Sequence, residues 1–291
     1  QHLAPLIKPS NNIRYLTQPE ADIYQTSVVL HNGHGRIIVV LHDIHKLMPE
    51  GPSIFLMKED LQKFVGQKVI AADGNAKFEK EPLQGKTLLE IRTFGKQTYL
   101  VFVVISVRIH LLMFGSYSIG EQTKPDKSLR LFLHFNVSGI YFYTCSAKLI
   151  ENNELEKIDW EADVMSEEWN PEKARKKLKA NPEMMVCDAL MNQDIFSGVG
   201  NIIKNEVLFR IGVHPESLLG HMPPKKIKEL IVEARNYSFD FLQWKRDFVL
   251  KKHWLAHTKK VCPECGEKLI KKQTGKGKRR SFYCEKDQKL Y

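Results

Sequence analysis

Four residues near the C-terminus have the spacing of metal ligands: CPEC supplies Cys262 and Cys265, and CEKD supplies Cys284 and Asp287. A zinc ribbon is built from two such tight turns, each of which directs two ligands at one tetrahedral ion. Carboxylate can bind zinc, although it is a harder donor than thiolate and suits this ion less well. The spacing therefore predicts a structural Zn²⁺ site with Asp287 in the fourth position.

Two alternatives to this site stay open at the level of sequence. His253 or His257 could supply the fourth ligand, or the segment could form a hairpin without metal. The other two cysteines, Cys145 and Cys187, lie in apolar segments and are predicted to be small buried core residues. An odd total of five cysteines argues against a framework of disulfides.

The segment DIFSGVGNIIKNEVLF (Asp194–Phe209) places a turn of small residues directly before a predicted helix. Such a turn gathers backbone N–H groups and the positive end of the helix dipole at one point, which suits a phosphate group. Glycine at a helix corner can also be purely structural, and Asn201 at the helix start can serve as an N-cap. Alone, this segment indicates anion binding only weakly.

The segment MPEGPS begins at Met48 and precedes an amphipathic pattern typical of a helix. If Pro49 carried a free amino group, it would be a secondary amine that can attack a sugar C1′ and form an iminium ion. Glu50, beside it, could serve as a general acid or base. Taken alone, PEGP is typical of a turn.

The positive charge of the chain is concentrated in its last 41 residues. Residues 251–291 contain 13 Lys or Arg and 4 Asp or Glu, and so carry almost all of the net charge of +10. The basic residues alternate with Phe282, Tyr283 and the cysteines. This mixture favours a module that binds a polyanion such as nucleic acid.

Short β-rich segments at near-regular spacing dominate the chain before about Asp159, which favours a β-sandwich or barrel. The NVSG sequence between the last two of them predicts a hairpin. The predicted strands are Thr87–Thr93, Thr98–Val104, Val107–Phe114, Leu129–Phe135 and Gly139–Cys145.

The second half of the chain has helical patterns, so the fold class is α+β with several domains. Predicted helices cover Pro171–Asn192, Asn201–Gly212 and a segment from Pro224 to about Trp244. The predicted domains are an extension (1–47), a β-sandwich domain flanked by helices (48–160), a helical domain (161–255) and a finger-like module (256–291).

Together, MPEGPS, LMNQDIFSGVGNIIKNEVLFRIGVHP and CPEC…RRSFYCEKDQ resemble the formamidopyrimidine-DNA glycosylase and endonuclease VIII family in order and spacing. The resemblance covers about Met48 to Tyr291 and leaves residues 1–47 outside. The Gly-Pro pair after the acid is more similar to the endonuclease VIII branch. The resemblance implies a β-sandwich, a helix–two-turn–helix domain and a zinc finger. It also implies a bifunctional glycosylase and abasic-site lyase that excises oxidised bases, here pyrimidines.

The resemblance assigns catalytic roles to three residues. The Pro49 nitrogen would attack C1′ of a flipped nucleotide, because the sugar carbon cannot be reached while the base is stacked. Glu50 would protonate the opening sugar and assist β- and δ-elimination. Lys96, in the FGK turn, matches a hairpin lysine that contacts the phosphate beside the lesion.

Four further residues match positions that bind DNA in the family. Asn201 matches the asparagine of the helix–two-turn–helix, and Glu206 matches the acid that follows it. Arg279 matches the finger arginine that binds phosphate, a task for which its bidentate geometry is apt. Met113 matches a residue that fills the hole left by the flipped base, and a core methionine on a strand is the alternative.

The chain departs from the family pattern at two positions and in its start. Ser53 stands where many members have a second glutamate, and Asp287 replaces the last cysteine of the finger. In the 291-residue chain the Pro49 nitrogen belongs to a peptide bond and cannot be a nucleophile. We therefore expect the working protein to begin at Pro49, either because translation starts at Met48 or because a protease removes residues 1–47.

The expected partner is damaged double-stranded DNA, bound by a monomer. Because no apolar run approaches the roughly 18–20 residues that cross a bilayer, we expect a soluble intracellular protein, cytoplasmic or associated with the nucleoid, without a membrane partner. Two alternatives remain open. The protein could bind damaged DNA without catalysis because the extension blocks its proline, or it could be a lyase that uses a lysine amine.

Overall fold

The computed structural model describes residues 25–32, 35–42 and 49–291. The first two ranges are antiparallel strands, β1 (Gln25–Asn32) and β2 (Gly35–His42), where the sequence favours strands. They belong to a compact unit separate from the one that contains residues 49–291. Met48, the possible translation start that precedes Pro49, lies outside the described residues.

Helix α1 (Gly51–Leu61) follows the PEGP segment, and Pro52 occupies its first turn, where a missing N–H costs nothing. A short 3₁₀ turn extends it to Phe64, and Gly66 then reverses the chain with φ +85°. The predicted apolar face is confirmed. Ile54, Met57, Leu61 and Phe64 lie in the core, and its fifth member, Val65, is partly buried and packs against that core.

Eight strands form two four-stranded antiparallel sheets, which confirms the predicted β-sandwich. One sheet has the order β10-β6-β5-β4 and the other the order β3-β8-β9-β7. Their apolar faces and α1 share one core. The strands are β3 (Val69–Asp73), β4 (Glu90–Phe94), β5 (Gln97–Val101), β6 (Ile105–His110), β7 (Ser116–Ile119), β8 (Leu129–Phe135), β9 (Gly139–Tyr143) and β10 (Ser146–Glu151).

The strand prediction was wrong in two respects. The strand expected over Val107–Phe114 ends at His110, because Leu112 adopts a left-handed conformation (φ 59°) that breaks the ladder. In addition, β3, β7 and β10 were not predicted. The first two are short, and β10 carries polar residues at both ends, so the apolar alternation of these strands is weak.

Four helices follow the sandwich: α2 (Pro171–Lys179), α3 (Val186–Met191), α4 (Asn201–Arg210) and α5 (Pro224–Arg246). The helical pattern predicted over Pro171–Asn192 is two helices, because Pro182 lacks an N–H and disfavours helical backbone at the preceding residue. None of the helices in the described part of the chain is long and apolar enough to span a bilayer.

The C-terminal segment forms a hairpin of β11 (Ile270–Thr274) and β12 (Arg279–Tyr283). A small core of its own lies beneath this hairpin, and Phe209 of α4 joins it. This core and the backbone bonds of its neighbours attach the finger to the helical region. One of these bonds joins the Lys289 N–H to the Gly212 carbonyl at 3.0 Å.

Replacing Met57 by Ala should lower the free energy of unfolding by about 2–5 kcal/mol, since the fully buried side chain leaves a cavity. The same replacement at Met113, which is half exposed, provides a control matched in residue type and should change stability by less than about 1 kcal/mol. Urea unfolding followed by circular dichroism measures both. Equal effects would contradict the packing described for α1.

Candidate active site

A cleft of about 390 Å³ lies where five segments meet: the start of the sandwich domain, the β4–β5 turn, the β6–β7 loop, the loop before α4 and the finger hairpin. Six of the seven catalytic and DNA-binding residues suggested by the sequence line it, although they are spread over 231 chain positions. They are Pro49, Glu50, Lys96, Met113, Asn201 and Arg279. The fold thus brings these side chains to one place, and their individual roles stay predictions.

The loop before α4 is shaped by glycines at points of close approach. Gly198 has φ +97°, and its carbonyl accepts a hydrogen bond of 2.8 Å from the Gly51 N–H. A Cβ at Gly200 would lie 2.4 Å from the Glu50 carboxyl carbon, so no other residue fits there without displacing the acid. The small residues of SGVG therefore admit the N-terminal segment to the start of α4.

The carboxylate of Glu50 caps α4 from a distant part of the sequence. Its Oε1 accepts the Ile202 N–H at 2.7 Å, and its Oε2 accepts the Ile203 N–H at 3.2 Å. Gly200, the N-cap residue, has no side chain for this task. Burial raises the pKa of Glu50 above its ordinary value, against the opposing effects of the Lys96 charge and these N–H groups. A buried acid with this balance is suited to exchange a proton at the cleft.

Lys96 projects from the two-residue turn between β4 and β5 into the cleft. Burial lowers the pKa of its amine, Glu50 opposes that shift, and the charge of Arg279 adds to it. The turn itself is held by Asp163, whose Oδ2 accepts the Gly95 N–H at 2.8 Å. Asp163 therefore connects the lysine turn to the segment that precedes the helical region.

Sequence reasoning did not identify Asp163. Its second oxygen accepts the Met165 N–H at 2.8 Å, and the side chain is buried. Burial raises the pKa of this carboxyl to about 6. An aspartate in a segment without a recognisable motif gives little signal in one sequence, since its function depends on a contact 68 positions away.

Asn201 and Arg279 meet at the junction of α4 and the finger. The Asn201 Nδ2 donates to the Arg280 carbonyl at 3.0 Å, while its Oδ1 is buried and has no hydrogen-bond partner among the described residues. Asn201 also lines the cleft. Asn201 therefore spans the finger strand and the cleft. Arg279 is the first residue of β12 and also lines the cleft.

Glu206, the seventh predicted residue, does not line the cleft. Its side chain is fully buried and accepts three backbone N–H groups of the segment after α5, from Leu255 (2.8 Å), Ala256 (3.0 Å) and His257 (2.7 Å). This arrangement fixes the chain that leads into the finger. The geometry supports a positioning role for Glu206 and gives it no surface with which to contact DNA.

Met113 lies in a loop between β6 and β7 and is half exposed. The alternative that it is a core methionine on a strand is therefore wrong. Leu112, Met113 and Phe114 are 52%, 50% and 76% exposed, respectively. Leu112 and Met113 line the cleft. Three consecutive exposed apolar residues, two of which line the cleft, form a wedge of the kind that can enter a gap between stacked bases.

The predicted metal ligands come together: donor atoms of Cys262, Cys265, Cys284 and Asp287 all lie within 4.8 Å of one another. The Asp287 Oδ2 is 3.0 Å from the Cys262 Sγ and 3.2 Å from the Cys284 Sγ, and the sulfurs of Cys265 and Cys284 are 3.5 Å apart. A tetrahedral ion at ordinary zinc–ligand distances would place its donors roughly 3.5–3.8 Å apart. The four residues could therefore hold a metal ion after small adjustments.

Neither histidine considered as a fourth ligand belongs to this group of described residues. The His253 ring stacks on Trp244 at 4.2 Å between ring centroids. The His257 Nδ1 is 3.0 Å from the Asn205 Nδ2, and burial lowers the pKa of this ring to about 4, so it is neutral. Both rings already have structural partners, which leaves Asp287 as the fourth donor.

Two protein-family models match this chain. The formamidopyrimidine-DNA glycosylase N-terminal domain matches residues 48–150, and the formamidopyrimidine-DNA glycosylase H2TH domain matches residues 161–237. Together they cover more than half of the chain. The chain belongs to the formamidopyrimidine-DNA glycosylase family.

Curated relatives in this family are endonuclease 8-like proteins. Endonuclease 8-like 3 of Xenopus laevis is 29% identical over 232 residues, which are 76% of this chain and 38% of the relative. Endonuclease 8-like 2 of Bos taurus is 30% identical over 174 residues, 56% of this chain and 51% of the relative. The chain thus spans between about a third and a half of these vertebrate relatives. Its similarity to them agrees with the predicted branch.

Solved structures of the family share the fold. The Lactococcus lactis Fpg in complex with DNA that contains an abasic site has a TM-score of 0.74 and 20% identity, covering 82% of this chain and 99% of that one. A viral DNA glycosylase has a TM-score of 0.72 and 18% identity, and the match covers 82% of this chain and 100% of that one. The formamidopyrimidine-DNA glycosylase fold expected from the motifs is therefore confirmed.

Several cleft residues of this family member were not identified from its sequence. They are Phe94, Gln97, His110, Leu112, Met191, Gln193, Ser197 and Gly200. The pairing of Gln97 with His110 across β5 and β6 places this histidine next to the lysine turn. Burial lowers the pKa of His110, and the charges of Lys96 and Arg108 contribute. The register of β5 and β6 would have placed His110 beside the lysine turn, but a strand register cannot be derived from one sequence.

Asp163 predicts a pH dependence of stability. Burial raises the pKa of Asp163 in the folded protein to about 6, from an ordinary value of 3.8. The free energy of unfolding that the protonated side chain contributes is therefore fully present below pH 3.8 and is lost as the pH rises through about 6. Asp163→Asn mimics the neutral form. Between pH 4 and pH 7, its free energy of unfolding should therefore rise relative to that of the wild type by about 2–3 kcal/mol. Urea unfolding at each pH measures the difference. Asp240→Asn, at an exposed acid on α5, should show no such trend, and a flat Asp163→Asn difference would contradict the assignment.

The metal group predicts that Asp287→Cys binds Zn²⁺ more tightly than the wild type, because thiolate is the softer donor. Asp287→Ala should bind it more weakly, since one donor is lost. Competition with a chromogenic chelator measures the three affinities, and Asp240→Cys controls for an added thiol elsewhere. Equal affinities of the wild type and Asp287→Ala would mean that Asp287 is not a ligand.

Proposed function

We propose that the protein is a bifunctional DNA glycosylase and abasic-site lyase that removes oxidised bases, chiefly pyrimidines, from duplex DNA. The observation that carries this proposal is the single cleft that contains Pro49, Glu50, Lys96, Asn201 and Arg279. Membership of the formamidopyrimidine-DNA glycosylase family and the endonuclease 8-like relatives support it. The basic C-terminal region supports binding to phosphate groups.

In this proposal, the Pro49 amine attacks C1′ of a flipped nucleotide. A bond forms between nitrogen and C1′ while the bond from C1′ to the base breaks, and the base leaves with the bonding electrons and takes up a proton. The nitrogen loses its own proton, which frees its lone pair to form the iminium ion. Glu50 delivers a proton to the ring oxygen as the sugar opens to an iminium ion. Burial raises the pKa of Glu50, which helps this carboxyl to hold the proton until it is needed.

The iminium ion then acidifies the proton on C2′. Loss of this proton expels the 3′ phosphate (β-elimination), and a second elimination expels the 5′ phosphate (δ-elimination). Lys96 and Arg279 supply positive charge on the side of the cleft where these phosphates would lie. Hydrolysis of the remaining iminium returns the Pro49 amine.

The bound Zn²⁺ would support the fold of the finger and take no part in these steps. Three thiolates and the Asp287 carboxylate would hold it in a closed tetrahedral site of the structural kind. Such a site stabilises a small module because its ligands converge only in the folded chain.

A second candidate, an abasic-site lyase that uses Lys96, is favoured by one observation. The Lys96 amine lines the cleft, and burial lowers its pKa, which raises the fraction of neutral amine able to attack an aldehyde. This reaction does not require a free Pro49 nitrogen. It would act on abasic sites that already exist and would release no base.

Borohydride trapping on duplex DNA with one oxidised pyrimidine tests the proposal. A chain that starts at Met48, and is processed to Pro49, should form a covalent adduct, because its proline is an amine. The 291-residue chain should form none on this substrate. Glu50→Gln in the shorter chain should slow base release by roughly 10²–10⁴-fold.

Trapping on an abasic site distinguishes the second candidate. An adduct of the 291-residue chain that disappears in Lys96→Arg, and persists in the surface control Lys176→Arg, would favour the lysine lyase. Absence of any adduct with either chain, together with salt-sensitive binding, would favour a DNA-binding protein without catalysis.

A further inference from the structure

The turn between β11 and β12, residues 275–278, has few internal hydrogen bonds and directly precedes the cleft residue Arg279. Its sequence is Gly-Lys-Gly-Lys, and Arg279 follows directly. One hydrogen bond of 3.2 Å, from the Lys278 N–H to the Gly275 carbonyl, closes it. Two glycines and two exposed lysines favour many conformations over one.

A carboxylate from another part of the chain holds this turn. The Asp188 Oδ2 accepts the Lys276 N–H at 2.8 Å, and its Oδ1 lies 3.4 Å from the Gly277 N–H. A Cβ at Gly275 would lie 2.3 Å from the Asp188 Oδ1, so the turn fits around the acid only with glycine at this position. The acid and the turn are therefore complementary in shape as well as in hydrogen bonding.

The rest of the hairpin is attached separately. The Lys204 Nζ of α4 donates to the Ser281 Oγ at 2.9 Å, and the Phe282 N–H donates to the Asn205 Oδ1 at 3.2 Å. The Arg280 carbonyl also accepts hydrogen bonds from Asn201 (3.0 Å), Lys204 (3.2 Å) and Asn205 (3.4 Å), so α4 holds β12 from the residue after Arg279 onward. Asp188 binds the hairpin on the other side of Arg279, through the backbone N–H groups of the turn that precedes it.

We propose that Asp188 is a positioning residue that holds the 275–278 turn so that Arg279 faces the cleft. This inference rests on the proposed function, in which Arg279 binds a DNA phosphate. Met191, on the same short helix as Asp188, also lines the cleft, so one element both bounds the cleft and anchors the turn.

Electrostatics alone predicts the opposite effect of removing Asp188. A negative charge beside Lys276, Lys278 and Arg279 repels phosphate, so its loss should strengthen binding to DNA. If the carboxylate acts through geometry, its loss should weaken binding instead. The sign of the change therefore separates a positioning role from a mere surface charge.

The test measures binding of the 291-residue chain to a duplex with a tetrahydrofuran abasic analogue, by fluorescence anisotropy over a series of salt concentrations. Arg279→Ala should bind roughly tenfold more weakly and reduce the salt slope by about one. Asp188→Ala should bind about three- to tenfold more weakly, and Asp188→Asn, which keeps one acceptor, should lie between it and the wild type. Asp240→Ala, which removes an exposed acid on α5, should bind as well as the wild type or better.

Two further readouts complete the test. The double variant Asp188→Ala/Arg279→Ala should bind no more weakly than Arg279→Ala, because both changes act through one contact. Limited trypsin digestion with mass spectrometry should show faster cleavage within residues 276–280 in Asp188→Ala than in the wild type or Asp240→Ala. Additive losses of affinity, unchanged cleavage, or tighter binding by Asp188→Ala would each overturn the proposal.

The trypsin result does not depend on DNA. If Arg279→Ala bound as tightly as the wild type, the phosphate-binding role of Arg279 in the proposed function would be wrong, and the positioning proposal would fall with it. Faster cleavage of Asp188→Ala in that case would still establish the anchor itself.

Discussion

The carboxylate of Glu50 at the start of α4 is the contact on which the geometry of the cleft depends. It joins the first residues of the sandwich domain to a helix whose bonded N–H groups lie 152 and 153 positions later and otherwise lack a cap. The glycines of the SGVG loop are required because this acid and the backbone of Gly51 occupy the space that side chains would fill. Pro49 is adjacent in the chain, so the same contact determines where its nitrogen lies.

The finger is attached to the helical region by two kinds of interaction. The group of three cysteines and Asp287 organises its interior, whereas side chains of α3 and α4 hold its hairpin from outside. Lys204, which burial brings to a pKa of about 8, is one of these external contacts. These external contacts attach the hairpin to the helices without involving the four residues of the metal group.

Much of this arrangement was predictable from residue types and spacing. The apolar period of α1, the NVSG hairpin and the cysteine spacing each reflect a local rule, and the structure contains the corresponding helix, hairpin and ligand group. Asp163, Asp188 and His110 were not found, because each acts through a contact or a strand register between distant segments. The interior position of Glu206 was missed for the same reason, since its partners lie 49–51 positions away.

The charges in the cleft bear on which amine could react. Lys96 and Arg279 both line it, and Glu50 is the one acid among the described residues that do so. Burial lowers the pKa of Lys96, the charge of Glu50 opposes that shift, and the charge of Arg279 adds to it, so the two cations repel each other. A phosphate placed between them would relieve this repulsion and raise the pKa of Lys96. Bound DNA would therefore keep Lys96 protonated, as a phosphate contact requires and a nucleophile does not, and this favours Pro49 as the reacting amine.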